Sequence, residues 1–219
     1  LSPVGVFCLI FSTFSSLGIS IIFTLINYFL IVVGVLIFHA AFTYSLLLTS
    51  LAKINPFIFF SKMREAIIFA FSTSSSSATM PVTLKTVEEK LGVDKSVSSF
   101  CIPLGTTINM DGTAIMQGVA TVFIAQVYQV DLSMMEYLMV IITATLASIG
   151  TAGVPGVGLI MLAMVLQQVG LPVEGIALII GVDRLLDMLR TAVNVSGDAT
   201  ISCIVANSED QLSRKDFIS

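Results

Sequence analysis

From Leu1 to Ala52 the chain carries no Lys, Arg, Asp or Glu. A helix needs about 20 apolar residues to cross about 30 Å of hydrocarbon, so this run has room for about two crossings. Ser12–Gly18 is the expected break. Residues 1–16 then read as the end of one transmembrane helix and 17–52 as a second, long and tilted. The chain starts on Leu without a targeting segment and reads as a fragment. Only 11% of all residues are charged and 56% are hydrophobic, against about 25% charged in soluble domains. Disorder, collagen and coiled coil each need charge, proline or heptads that are missing here. A net charge of −4 leaves no footprint for nucleic acid. Cys8, Cys101 and Cys203 each stand alone in apolar sequence and read as packing residues, with no disulfide, zinc site or cofactor implied.

Two later apolar stretches are too short to cross. Ala66–Thr73 gives eight residues before Ser74-Ser75-Ser76-Ser77, and charge resumes at Lys85. Tyr137–Val173 is uncharged for 37 residues, but a Gly- and Pro-containing segment, 150–158, divides it into two arms. Each arm reaches only about 20 Å as helix. Short arms meeting at a Ser-rich or Gly/Pro-rich tip are what a re-entrant hairpin requires, expected at 62–91 and 137–172. A soluble linker is the bland alternative for four serines, and a phosphate loop is discounted because 150–158 has no Gly-Lys-Ser/Thr ending.

The basic residues supply a separate test, because cytoplasmic loops are enriched in Lys and Arg. Lys53, Lys62 and Arg64 precede the serine-tipped segment and Lys85, Lys90 and Lys95 follow it, whereas Asp131, Glu136 and Glu174 flank the other segment with no basic residue. The first hairpin is therefore expected to enter from the cytoplasm and the second from outside. Residues 96–129 then cross outward and 174–207 cross back. Arg214 and Lys215 place the tail, 208–219, inside. The expected fold is an all-α multi-pass membrane protein with a hairpin-plus-helix unit repeated in inverted orientation, the build of secondary transporters. Asn109–Thr113 and Asn194–Thr200 share Asn, Gly, Asp and Thr, so both helices are expected to unwind there and offer carbonyls to a cation.

Asp183, Asp187, Arg190, Thr191, Asn194 and Asp198 recur at three- and four-residue steps, which places them on one helical stripe. Each ionised group at a helix centre costs about 2.5–3.5 kcal/mol in the bilayer, so such residues are functional candidates. Arg190 offers paired donors to a carboxylate and Asp187 an anion to an ammonium; together they describe an acidic amino acid. Arg190 can reach Asp187 and Asn194 along the helix. Asn194 suits an α-carboxylate, and Asp111 and Asp198 with carbonyls near Gly105, Asn109 and Asn194 suit a hard cation. His39, alone in a long helix, reads as a packing residue with a local hydrogen bond, and proton relay is its alternative. No nucleophile with a nearby base argues for an enzyme.

In order, Ser74–Pro81, Asn109-Met110-Asp111-Gly112-Thr113, Ala147–Gly158 and Asp187–Asn194 resemble the motifs of the glutamate transporter family of dicarboxylate/amino acid:cation symporters. The resemblance implies hairpin 1, unwound helix 7, hairpin 2 and helix 8 of a transport domain that moves as an elevator, in a full-length homotrimer of the plasma membrane. It implies that Arg190 and Thr113 hold the substrate's side-chain carboxylate, Asp187 and Thr191 its amino group, and Asn194 its α-carboxylate, with backbone contacts from Ser76 and Val154. It implies one sodium among Gly105, Asn109, Asn194 and Asp198. A second would lie among Thr107, Met110, Ser148, Ile149 and Thr151, and a third at Asn109 and Asp111. Members of the family place an arginine at the position of Ser74 or of Met188; this chain has Arg184 instead, which leaves the partners of Arg190 and Asp183 open. A proton-coupled glutamate or C4-dicarboxylate symporter and a ligand-gated anion channel are the alternatives to sodium-coupled uptake.

Overall fold

The computed structural model describes residues 21–214 and 217. The helix end expected at 1–16, the break at Ser12–Gly18, Cys8 and Lys215 lie outside them. Helix α1, Ile21–Phe38, continues through a π-helical turn His39–Tyr44, an α-helical turn Ser45–Leu47 and a second π-helical turn Leu48–Ala52. The run Phe23–Ala52 is long and apolar enough to cross a membrane. It stops where Lys53 turns left-handed at φ 55°.

Helix α2, Pro56–Thr73, starts on an Asn55 cap with Pro56 at its first position, and ends at left-handed Ser74. Proline fits a first turn because that turn needs no partner for its N–H. Ser75 caps α3, Ser76–Glu89, by accepting from the Ala78 N–H. Only Ser74 and Ser75 are non-helical at this tip. Asp94 caps α4, Lys95–Ile108, accepting from the Ser96 N–H and hydroxyl, and those two donors hold its carboxyl below the usual range. Helix α5, Asp111–Val127, follows directly. A Ser133–Glu136 capping box opens α6, Met134–Ile149, and left-handed Gly156 precedes α7, Val157–Gln168. The last helix, α8, runs unbroken over 33 residues from Ile176 to Ser208. Beyond it an isolated antiparallel bridge, Val93 with Leu212, ties the tail to the α3–α4 link.

One expectation about unwinding is narrowed and the other corrected. In the first motif the helical ladder is interrupted at Asn109 and Met110 alone, and Asp111, Gly112 and Thr113 form the first turn of α5. In the second motif α8 is regular throughout 194–200. Gly197 serves close approach there, because a Cβ on it would stand 2.6 Å from the Tyr44 hydroxyl and 2.7 Å from Asn109 Nδ2.

The interior has two apolar clusters strung along α8. One joins Tyr28, Val32, Met116, Ile124, Val140, Leu162, Leu186 and Val193. The other joins Phe59, Met63, Val87, Ile102, Val195, Ala199 and Cys203. Between them every α8 residue from Arg190 to Thr200 is buried, including Arg190, Thr191, Asn194, Ser196, Asp198 and Thr200. The outside is apolar too: Phe23, Ile26, Leu30, Phe38, Phe42 and Leu46 of the first helical run are all exposed. In a soluble protein a contiguous surface of that kind marks a partner or a membrane.

Candidate substrate and cation site

Arg190 is among the largest fully buried side chains of the described residues, at 1% exposure. A lone guanidinium there would be prohibitively unstable, and two carboxylates on the same helix face compensate it. Asp187 Oδ1 lies 2.9 Å from Nη2, and Asp183 Oδ1 lies 3.0 Å from Nη1. Asp183 is seven residues before Arg190, two turns up the stripe. The Nη1 contact is an ion pair without hydrogen-bond alignment, so Nη1 and Nε keep donors free. The reach expected towards Asn194 does not occur. Arg184 is exposed, and Ser74 is buried with its hydroxyl unpartnered.

The two helix-hairpin tips close over this group. The Ser75 hydroxyl and the Ser77 N–H both donate to the Gly153 carbonyl, at 2.8 and 3.0 Å. The Gly156 N–H donates to Asp187 Oδ2 at 3.1 Å. A Cβ on Gly153 would meet Ser77 and Thr106 at 3.0–3.1 Å, so the tips meet at a place only glycine fits comfortably. Ser76, Thr113, Val154, Asp187, Thr191 and Asn194 line one shared cavity, with Met110 and Thr151 also in its wall. Its volume is about 20 Å³, roughly the room one water needs. Six of the seven expected substrate residues line it; Arg190 does not, and is joined to it through its ion pair with Asp187.

Below this cavity the α4–α5 break meets α8. Asn194 Oδ1 accepts from the Gly112 N–H at 2.7 Å, while its Nδ2 faces Met110 Sδ and Thr113 Oγ1 at 3.2 and 3.4 Å. Asn109 Nδ2 donates to Asp198 Oδ1 at 2.9 Å. A Cβ on Gly105 would overlap that same oxygen at 2.5 Å, so the glycine leaves a cradle beside a buried carboxylate. Carboxylate, amide and backbone oxygens are hard donors of the kind an alkali cation takes. Among the described residues no three His, Cys, Asp or Glu converge as a metal cage.

The remaining expected cation residues are less gathered. The hydroxyls of Thr107, Ser148 and Thr151 each donate to a carbonyl nearby in their own chain segment, and Ile149 and Thr107 are exposed. Asp111 has partners that the sequence did not announce: His39 Nε2 at 3.1 Å and the Tyr44 hydroxyl at 3.0 Å, both on Oδ2. His39 is therefore bonded 72 residues away, not locally. Asp183 was visible in the stripe, but its pairing with Arg190 spans seven residues, beyond the three- and four-residue steps that mark the stripe. The tip contacts of Gly153 and Gly156 carried only a glycine signal.

The model of the sodium:dicarboxylate symporter family matches residues 1–208. An excitatory amino acid transporter of Caenorhabditis elegans is 45% identical over 206 residues, covering 93% of this chain and 41% of the relative. Human excitatory amino acid transporter 1 is 47% identical over 187 residues, 85% of this chain and 34% of the relative. A putative sodium-dependent excitatory amino acid transporter, glt-4 of C. elegans, is 46% identical over 191 residues, 87% of this chain and 38% of the relative. The chain thus spans about two fifths or less of the length of these curated relatives. On a match that runs through both helix-hairpin tips and the whole polar face of α8, the chain belongs to the sodium:dicarboxylate symporter family.

Proposed function

We propose that this chain is the substrate- and ion-binding part of a sodium-coupled symporter that takes up glutamate or aspartate. The observation that carries the reading is Arg190, buried between Asp183 and Asp187 with two nitrogens still able to donate. An incoming side-chain carboxylate would take those donors, with Thr113 beside it. Asp187 and Thr191 would receive the amino group, and Asn194 the α-carboxylate. The relatives' names, excitatory amino acid transporter, support this substrate class. Asp187 is engaged by both Arg190 and the Gly156 N–H, so entry of an ammonium would require the second tip to lift. Hairpin 2 is then the gate.

Sodium would be held by the residues around Asp198, Gly105, Asn109 and Asn194, and by Asp111 with Asn109. A further ion would sit near Thr107, Met110, Ser148, Ile149 and Thr151. A cation held there would compensate the buried carboxylates of Asp111 and Asp198. In a plasma membrane, α2–α3 would enter from the cytoplasm and α6–α7 from outside, with the tail cytoplasmic and the domain moving as an elevator within a homotrimer. Labelled aspartate uptake by the full-length protein in proteoliposomes tests the reading. Accumulation that follows an imposed inward sodium gradient is expected; accumulation indifferent to that gradient, or driven by a proton gradient alone, overturns it.

A further inference from the structure

In a regular α-helix, residues five apart stand about 140° from each other around the axis. His39 and Tyr44 nevertheless point at one atom. The π-helical turn they bound, His39–Tyr44, has the wider i to i+5 ladder that brings such a pair towards a common face. Their rings pack edge-on with centroids 4.7 Å apart, and both polar atoms reach Asp111 Oδ2, at 3.1 and 3.0 Å. An ionised carboxylate only accepts, so both groups donate, His39 through its Nε2–H.

The Tyr44 hydroxyl also lies 3.2 Å from the Val193 carbonyl, a second acceptor on α8 that shares its single hydrogen with Asp111. On the far side it faces Gly197, across which Asn109 holds Asp198. The first helical run, the α4–α5 break and α8 are thereby locked around the two acidic residues of the cation region. We infer that His39 and Tyr44 are positioning residues for Asp111, occupying Oδ2 so that Oδ1 is presented to the coupling cation. This inference rests on the sodium reading above.

The test is the sodium concentration that gives half-maximal thermal stabilisation of the purified full-length protein, with sodium-dependent uptake measured alongside. Tyr44→Phe removes one oxygen at constant shape, and His39→Leu removes the other donor. Each is expected to raise the sodium midpoint about tenfold, the scale of one hydrogen bond to a charged group, while the substrate KM at saturating sodium is unchanged. His39→Gln, which keeps an N–H donor, is expected to recover most of the loss. An unshifted midpoint in Tyr44→Phe, or a His39→Gln midpoint no better than that of His39→Leu, overturns the inference alone. A wild-type protein whose stability ignores sodium overturns the coupling reading and this inference with it.

Discussion

A buried arginine with two carboxylates leaves the local sum at one negative charge, enough to receive an ammonium; an acidic amino acid itself brings one net negative charge, which the coupling cations would have to balance. Asp187→Asn keeps the shape and most hydrogen bonds but removes the charge. It is expected to weaken glutamate and aspartate by 10- to 100-fold, on the order of one charged hydrogen bond, and to spare C4-dicarboxylates, which have no ammonium; competition assays with both classes read the difference. Removing Asp183 instead leaves Arg190 with Asp187 as its one carboxylate partner. Asp183→Ala is expected to destabilise the protein by about 3–5 kcal/mol, the usual cost of breaking a buried pair, seen as a lower melting temperature whatever the substrate. Gly105 is a third residue-scale case. Gly105→Ala places a methyl on Asp198 Oδ1, and the expected outcome is loss of sodium-dependent stabilisation while the helices remain folded by circular dichroism.

At the scale of elements, the second tip is held by a short set of polar contacts. It relies on a left-handed Gly156 at φ 81°, the Gly156 N–H on Asp187, and the Gly153 carbonyl held by Ser75 and Ser77. Gly156→Ala is expected to cost about 1–2 kcal/mol in the closed tip, because a Cβ is strained in that conformation. Amide hydrogen exchange confined to 150–156 should speed up by roughly tenfold; unchanged exchange would mean the tip does not depend on this turn. The tips themselves were legible from short apolar arms and from serine, glycine and proline between them. The stripe on α8 was legible as well, since three- and four-residue spacing is a local property. What was not legible depends on distance along the chain. Gly197 looked like an unwinding signal and is a contact point for Tyr44, and nothing in a run of apolar residues marks the π-helical turn that aims His39 at Asp111.

For the whole molecule, two apolar clusters on either side of a polar layer, with large hydrophobic side chains outside, suit a membrane protein. The proposed orientation rests on six basic residues around the first hairpin and three acidic ones around the second. Single cysteines introduced at Lys90 and at Glu136, in a background without the native three, should be labelled by impermeant reagents from opposite faces, Lys90→Cys from the cytoplasm and Glu136→Cys from outside; labelling from the same face would contradict the inverted repeat. The decisive measurement joins all three scales at Arg190: a substrate panel competing for uptake by wild type and by Arg190→Cys in the full-length protein. Glutamate and aspartate should lose all effect on the variant while small neutral amino acids compete as well as before or better. Equal loss of acidic and neutral substrates would contradict a carboxylate-binding role and leave Arg190 as a structural ion pair.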